Sequence, residues 1–268
     1  MPDTAERCRA FRHLHASGCF VMPNPWDPGS ARAFARLGFP ALATTSAGFA
    51  WTLGRLDGEV TRDELVAHVA EVAAATPLPL NVDSERCYPD DPGGVVETVR
   101  LLGEAGAAGC SIEDWNPADG RIEDLELAVE RVREAAEAGH AFDPPMVLTG
   151  RAENHLRGVD DLDDTIGRLV AYRDAGADCL YAPWLSSIEQ VADVVEAVQA
   201  PVNVLATQAT PPVPELARVG VRRVSTGSLL GSAAYGTLLA GARELLADGT
   251  STYTAAGMKP ADRDAAFG

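Results

Sequence analysis

Four stretches of the chain share one junction. A helix-like run ends at a glycine and passes within a few residues into a short apolar run: Leu37-Gly-Phe-Pro, Ala105-Gly-Ala-Ala-Gly, Ala175-Gly-Ala-Asp and Val219-Gly-Val-Arg. Glycine enters the left-handed conformation that ends a helix at little steric cost. Strands separated by helices run parallel and bury both faces, which leaves few architectures open. Reading outward from the junctions, apolar runs at 19–24, 41–46, 78–83, 109–113, 146–151, 178–182, 202–205 and 223–226 are predicted strands. Helices are predicted over 28–37, 61–75, 93–105, 123–138, 161–175, 187–198, 213–219 and 229–246, with one more over about 4–16 before the first strand. Thr61 with Glu64 forms a capping-box signature. Eight strand–helix units are the number that closes a (β/α)8 barrel, so residues 1–268 are expected to form a single α/β barrel domain. An open doubly wound sheet is the alternative, but the first strand–helix turn lacks the G-x-G-x-x-G of dinucleotide binders. The tail over 248–268 is poor in apolar residues and is expected to be disordered or to contact another subunit.

Charge narrows the partners. The formal net charge of −17 opposes binding to nucleic acid or an anionic membrane, but says little about a small anionic substrate, which responds to the local field. No apolar run approaches the ~18 residues of a membrane span. The five cysteines, Cys8, Cys19, Cys87, Cys110 and Cys179, are odd in number and unpatterned, and no secretory leader is apparent, so a cytoplasmic location is expected.

In a barrel of this kind the active site lies at the carboxyl ends of the strands. Those ends carry Asn24, Trp26 and Asp27; then Thr45, Ser46 and Gly48, with Asp57 further along the second loop; then Asp83 and Glu85; then Glu113 and Asp114; then Arg151, Glu153 and Asn154; then Tyr181, Asn203, Thr207, Thr226 and Ser228. Alternate residues at a strand end face one way, so Asp83 and Glu85 can address one point. Asp83, Glu85 and Glu113 together would form a crowded negative site that either protonates or holds a cation. Oxygen ligands suit Mg²⁺, which keeps several waters and needs only one or two direct carboxylates. Arg151 could clamp a substrate carboxylate, and small residues at 46–48 leave backbone N–H groups for the same anion. The plainer alternatives are solvated acids at loop starts, and an ion pair of Arg151 with Glu153 or Glu113. His155 and Cys87 lie near the site without a clear role, and Cys87 reads as a small packing residue.

These strand ends resemble the isocitrate lyase/phosphoenolpyruvate mutase superfamily, on its phosphoenolpyruvate mutase-like branch. The matching pieces are Pro23-Asn-Pro-Trp-Asp-Pro-Gly-Ser-Ala-Arg32, Thr44-Thr-Ser-Ala-Gly48, Leu53-Gly-Arg-Leu-Asp57-Gly, Asn81-Val-Asp83-Ser-Glu85, Ile112-Glu113-Asp114 and Gly150-Arg151-Ala-Glu153. The resemblance spans nearly the whole chain. It implies a Mg²⁺-dependent lyase or mutase that makes or breaks a C–C or P–C bond of a small 2-oxo, 2-hydroxy or phosphono carboxylate beside an enolate. By the same resemblance Asp83 would ligate Mg²⁺ directly, while Asp57, Glu85 and Glu113 would hold its waters. Ser46, Ala47, Gly48 and Arg151 would bind carboxylate and enolate oxygens, with Trp26 and Asn203 as further substrate contacts. It also implies a homodimer or homotetramer with a C-terminal helix exchanged between subunits. Family lyases carry Lys-(Lys/Arg)-Cys-Gly after the fourth strand; here the stretch is Trp115-Asn-Pro-Ala-Asp-Gly-Arg-Ile122, expected to be a mobile lid. The Asp-x-Asp-x-Gly-Tyr-Gly motif of mutases and hydrolases reads Asp-Ser-Glu-Arg-Cys-Tyr-Pro, a stiffer loop. A class II aldolase would need histidines at strand ends, and none sits there as a ligand set. A non-catalytic carboxylate-binding member of the same superfamily is the remaining alternative.

Overall fold

The computed structural model describes residues 2–185 and 187–268. In chain order they form α1 (Thr4–Ala16), β1 (Phe20–Met22), α2 (Pro28–Arg36), β2 (Leu42–Ala43), α3 (Ser46–Thr52), α4 (Arg62–Ala75), β3 (Leu80–Asp83), α5 (Gly94–Glu104) and β4 (Gly109–Glu113). There follow β5 (Trp115–Asn116), β6 (Arg121–Ile122), α6 (Leu125–His140), β7 (Val147–Arg151), a 3-10 turn (His155–Arg157), α7 (Leu162–Asp174), β8 (Cys179–Tyr181) and α8 (Ile188–Val198). The chain finishes with β9 (Val202–Leu205), α9 (Val213–Arg218), β10 (Arg223–Ser225), α10 (Leu229–Asp248), a second 3-10 turn (Thr252–Ala256) and α11 (Pro260–Phe267).

Eight strands pair in parallel in the order β1-β10-β9-β8-β7-β4-β3-β2. The remaining seam, between β1 and β2, is bridged where the Ala43 N–H donates to the Pro23 carbonyl at 3.1 Å. Asn24 stitches the same seam: its Nδ2 donates to the Thr44 carbonyl, and its Oδ1 accepts from the N–H groups of Thr226 and Gly227. The result is a (β/α)8 barrel, nearly closed by strand hydrogen bonds. Helices cover its outside through aliphatic residues such as Val99, Leu102, Val132, Leu169 and Val194, buried in one cluster with strand residues such as Leu148 and Leu180. Each such burial contributes about 1.5–3 kcal/mol. The capping box at Thr61 forms as its sequence implies.

The barrel interior is unusual. Where branched aliphatics commonly fill such a core, Arg223 is buried, its Nε donating to Asn203 Oδ1, its Nη2 to Thr149 Oγ1 and its Nη1 facing His15. The loop after β2, which carries Asp57, begins with α3, whose N-cap is Thr45. Residues 115–122, the stretch expected to be a mobile lid, form an antiparallel hairpin, β5–β6. The tail from 252 onward is helical and rests on α2 of its own chain, where Arg36 donates to the Gly268 carbonyl at 2.9 Å. No helix among the described residues is long and apolar enough to cross a membrane.

Candidate active site

Asp83 ends β3 and points across the mouth of the barrel. Its backbone N–H donates to Thr44 Oγ1 at 2.9 Å, which fixes the strand end. Its Oδ2 accepts from both the N–H and the hydroxyl of Ser46, at 3.1 and 3.2 Å. So the first residue of α3 is already turned onto the acid, and the Gly48 N–H is taken by Thr45 Oγ1. Of the three residues expected to offer free amides, Ser46 and Gly48 are engaged within the protein. Gly48 is required for space: a Cβ there would lie 2.5 Å from Thr45 Cγ2 and 3.0 Å from Trp26 Cβ. Trp26 is thus a packing wall, wedged against Gly48 and against Gly231 of α10.

Beyond Asp83 the chain makes a tight turn in which Glu85, Cys87 and Tyr88 all have left-handed φ angles of 49°, 58° and 46°. Non-glycine residues in this region carry about 1–3 kcal/mol of strain each, and such strain persists only where surroundings hold it. Here the Cys87 N–H donates to the Ser84 carbonyl, the Tyr88 hydroxyl to the Val60 carbonyl, and the Glu113 N–H to the Glu85 carbonyl. Cys87 therefore occupies a glycine-like conformation at the place where the related motif has glycine. Its thiol is buried beside Ser84 Oγ.

Glu113 ends β4. Arg151, its register partner at the end of β7, places Nη1 3.2 Å from Glu113 and 3.4 Å from Asp83. Its Nε donates to Glu153. Both alternative ion pairs considered for Arg151 are therefore present. They do not remove it from the site, because the Arg151 fork lies among the acids rather than away from them. Asp114, the next residue, faces the other way: it accepts from the Glu153 N–H, the Tyr172 hydroxyl and Arg168. It clamps the foot of the hairpin.

The acids are short of positive charge. Burial first, then the charges of Asp57 and Asp83, push the Glu85 carboxyl up to about 8. Asp57 is also raised, by lost hydration and then by Asp83, although its loop leaves it partly open to solvent. Burial raises Glu113 well above the carboxylate range; Arg151 opposes this, while Glu153, Asp83 and Glu85 reinforce it. Burial alone would weaken the charge on Arg151, but Glu113, Glu153 and Asp83 hold it firmly cationic. Against five acids (Asp57, Asp83, Glu85, Glu113, Glu153) stand two guanidinium groups, Arg151 and Arg157. All donors on the acid side are hard oxygens, and Arg151 Nη1 sits between Asp83 and Glu113 as a stand-in cation. This set fits Mg²⁺. Among the described residues no group of three Asp, Glu, His or Cys is placed to hold a metal ion by itself.

Below Asp83 and Arg151 lies a cavity of about 40 Å³, lined also by Thr44, Asn81, Tyr181 and Asn203. That is room for a few waters. Asn203 reaches this cavity but spends its Nδ2 on Ser225 and its Oδ1 on Arg223. Larger spaces lie elsewhere: about 500 Å³ between α11 and α2, about 660 Å³ beside α1 and α8, and about 160 Å³ along Gly58, Glu85 and Pro117 at the edge of the acid loop. Glu153, read from the sequence as a strand-end acid and as an alternative partner of Arg151, is that partner; Thr44, Arg157 and Arg223 belong to the site's framework without having been given a role by sequence. The spacing of Arg157 four residues after Glu153 was a usable signal; nothing local marks Thr44 or Arg223.

Comparison with known proteins follows the same lines. The family model described as phosphoenolpyruvate phosphomutase matches residues 11–246. Uncharacterized protein Rv1998c of Mycobacterium tuberculosis (strain ATCC 25618 / H37Rv) is 34% identical over 229 residues, 82% of each chain. Oxaloacetate decarboxylase of Pseudomonas entomophila (strain L48) is 32% identical over 230 residues, 81% of this chain and 77% of that one. A crystal structure of a lyase/mutase candidate from Burkholderia cenocepacia J2315 superposes with a TM-score of 0.93 at 48% identity, covering 97% of this chain and 96% of that one. The chain is a member of the phosphoenolpyruvate phosphomutase family, within the PEP mutase/isocitrate lyase superfamily of lyases and mutases.

Proposed function

We propose that the protein is a Mg²⁺-dependent lyase that breaks, or in reverse makes, a C–C bond of a small 2-oxo carboxylate through an enolate, with P–C chemistry on a phosphono acid as the variant within the same reading. The observation that carries this is Arg151 Nη1 lying between Asp83 and Glu113. Two acids hold a guanidinium where, on this reading, the metal would sit. Mg²⁺ there would supply a fixed positive charge beside the enolate oxygen, requiring no reorganisation as charge develops. Asp83 would be its direct ligand, and Asp57, Glu85 and Glu113 would hold its waters. Arg151, released from the acids but still tied to Glu153, then meets the substrate carboxylate as a fork. Ser46 has its hydroxyl at the same point and can pass from Asp83 to a substrate oxygen.

The hairpin offers no thiol and no amine to exchange a proton at the departing carbon. Loss of CO₂ from a 2-oxo dicarboxylate needs neither. The bond between C3 and C4 breaks, its electron pair enters the enolate, CO₂ leaves, and the enolate later takes a proton from water. The oxaloacetate decarboxylase relative supports oxaloacetate as the first probe. The purified protein with Mg²⁺ should convert it to pyruvate, and EDTA should abolish the conversion. A panel of hydroxy, methyl-branched and phosphono acids tests the variants.

The missing hairpin acid and the small cavity favour one other reading, a carboxylate-binding member without turnover. It predicts joint stabilisation by Mg²⁺ and oxalate, an enolate mimic, with no product from any substrate. Self-association is part of the proposal. Leu230, Leu238, Leu239, Leu245 and Leu246 of α10 are all exposed, a run of large apolar side chains on one helix. A cytoplasmic homodimer or homotetramer would cover them; a monomer in light scattering at micromolar concentration would refute it.

A further inference from the structure

We propose that Arg157 is a positioning residue for carboxylate recognition, acting through Glu153 on Arg151 and fixing that assembly to the hairpin. This rests on the functional reading above only in naming the ligand as a carboxylate.

Glu153 is fully buried, with 0% of its side chain exposed, and each oxygen has its own guanidinium. Oε1 accepts from Arg151 Nε. Oε2 accepts from Arg157 Nε at 3.0 Å, with Arg157 Nη2 also at ion-pair distance, 3.0 Å. Because Oε2 is taken, Arg151 can bind Glu153 only through Nε. Its terminal nitrogens must then point to Asp83, Glu113 and the cavity. The division of one carboxylate between two arginines thus aims the fork of one of them.

Arg157 is itself held. Its guanidinium carbon lies 4.1 Å from the centre of the Trp115 ring, a stacking distance. Trp115 opens the hairpin, whose feet are fixed by Asp114 and Glu123. The Glu123 N–H donates to the Asp114 carbonyl at 2.7 Å, and the Glu123 side chain takes Arg86 and Arg131. The hairpin is therefore not an independent flap. It forms the outer end of a chain of contacts: Trp115, Arg157, Glu153, Arg151, then Asp83 and Glu113.

Without Arg157, Oε2 would be a buried anionic oxygen with no donor. Arg151 is the nearest cation able to supply one, and a carboxylate favours the two-point pairing it could then accept. The fork would turn toward Glu153 and away from the cavity. The acids that bind Mg²⁺ would keep their places.

The test uses the full-length protein and needs no known substrate. Arg157 is partly exposed, so Arg157→Ala is expected to fold. In its ligand-free crystal structure Arg151 should be paired through two nitrogens with Glu153. Thermal melts should show unchanged Mg²⁺ affinity and at least a tenfold loss in apparent oxalate affinity with Mg²⁺ present. Arg157→Lys should restore part of that loss, and Trp115→Phe should retain most of the wild-type affinity. In a Glu153→Gln background, adding Arg157→Ala should change oxalate affinity little. Arg151 unmoved in Arg157→Ala, or oxalate affinity unchanged, would overturn the proposal. If wild type itself ignores oxalate with Mg²⁺, the carboxylate reading fails, and the Arg151 orientation in the variant crystal alone decides the positioning role.

Discussion

The two halves of the site are built to opposite rules. On the β2–β4 side, Asp57, Glu85 and Glu113 have raised proton affinity and too few cations. On the β7 side, both oxygens of Glu153 are paired, Arg157 is stacked, and Asp114 at the hairpin foot, although burial raises it too, accepts three donors. The difference teaches which half awaits a ligand. A saturated network is rigid and serves as the frame; an under-neutralised one is where free energy is to be gained on binding. Among the described residues, Arg151 belongs to both, paired with Glu153 on one side and with Asp83 and Glu113 on the other.

Removing the centre of the unsatisfied half should have the largest effect. Asp83→Ala is expected to lower Mg²⁺-dependent turnover of oxaloacetate by about 10²–10³-fold or more and to abolish the rise in melting temperature on adding Mg²⁺. Unchanged metal dependence in that variant would move the metal away from β3.

Removing the shared group comes next. Arg151→Ala should still bind Mg²⁺ but lose joint stabilisation by oxalate. It should also destabilise the fold by about 3–5 kcal/mol, since a buried carboxylate loses a partner. Arg151→Ala in a Glu153→Gln background should recover part of the stability and none of the oxalate effect. If oxalate stabilised wild type equally well in EDTA, a plain anion site at Arg151 would be the better account.

A smaller effect tests the charge deficit directly. Glu85 in the folded protein holds its proton up to about 8, against an ordinary 4.5. Between those values the folded state binds a proton that the unfolded state has released. The metal-free protein should therefore lose stability as pH rises from about 4.5 to about 8. Mg²⁺ should flatten that profile, and so should Glu85→Gln. A metal-free stability that instead rises through this window would show the acids to be adequately paired already. The smallest effect concerns Cys87. Being buried, it should react slowly with a thiol-alkylating reagent and leave activity largely intact. Substrate-protected inactivation traced to Cys87 would place it in the site after all.

Much of this was readable from local pattern. Glycine after Leu37, Ala105, Ala175 and Val219 ends a helix wherever it occurs, because the preference is a property of one residue's backbone. An apolar run closing on Asp83, Glu113 or Arg151 marks a strand end for the same kind of reason, and eight such ends in order imply the barrel. The register then puts Glu113 opposite Arg151. What sequence could not show was how each side chain spends its donors and acceptors. Ser46 turns its amide onto Asp83, Asn203 is consumed by Ser225 and Arg223, and the stretch 115–122 folds into a hairpin whose feet are held by Arg86, Arg131 and Arg168. Apart from Arg131, eight residues from Glu123, those partners lie 20 to 45 residues apart along the chain. Strand and helix preferences act over a few neighbouring residues, whereas a buried hydrogen bond is decided by whichever group the closed barrel brings within about 3 Å.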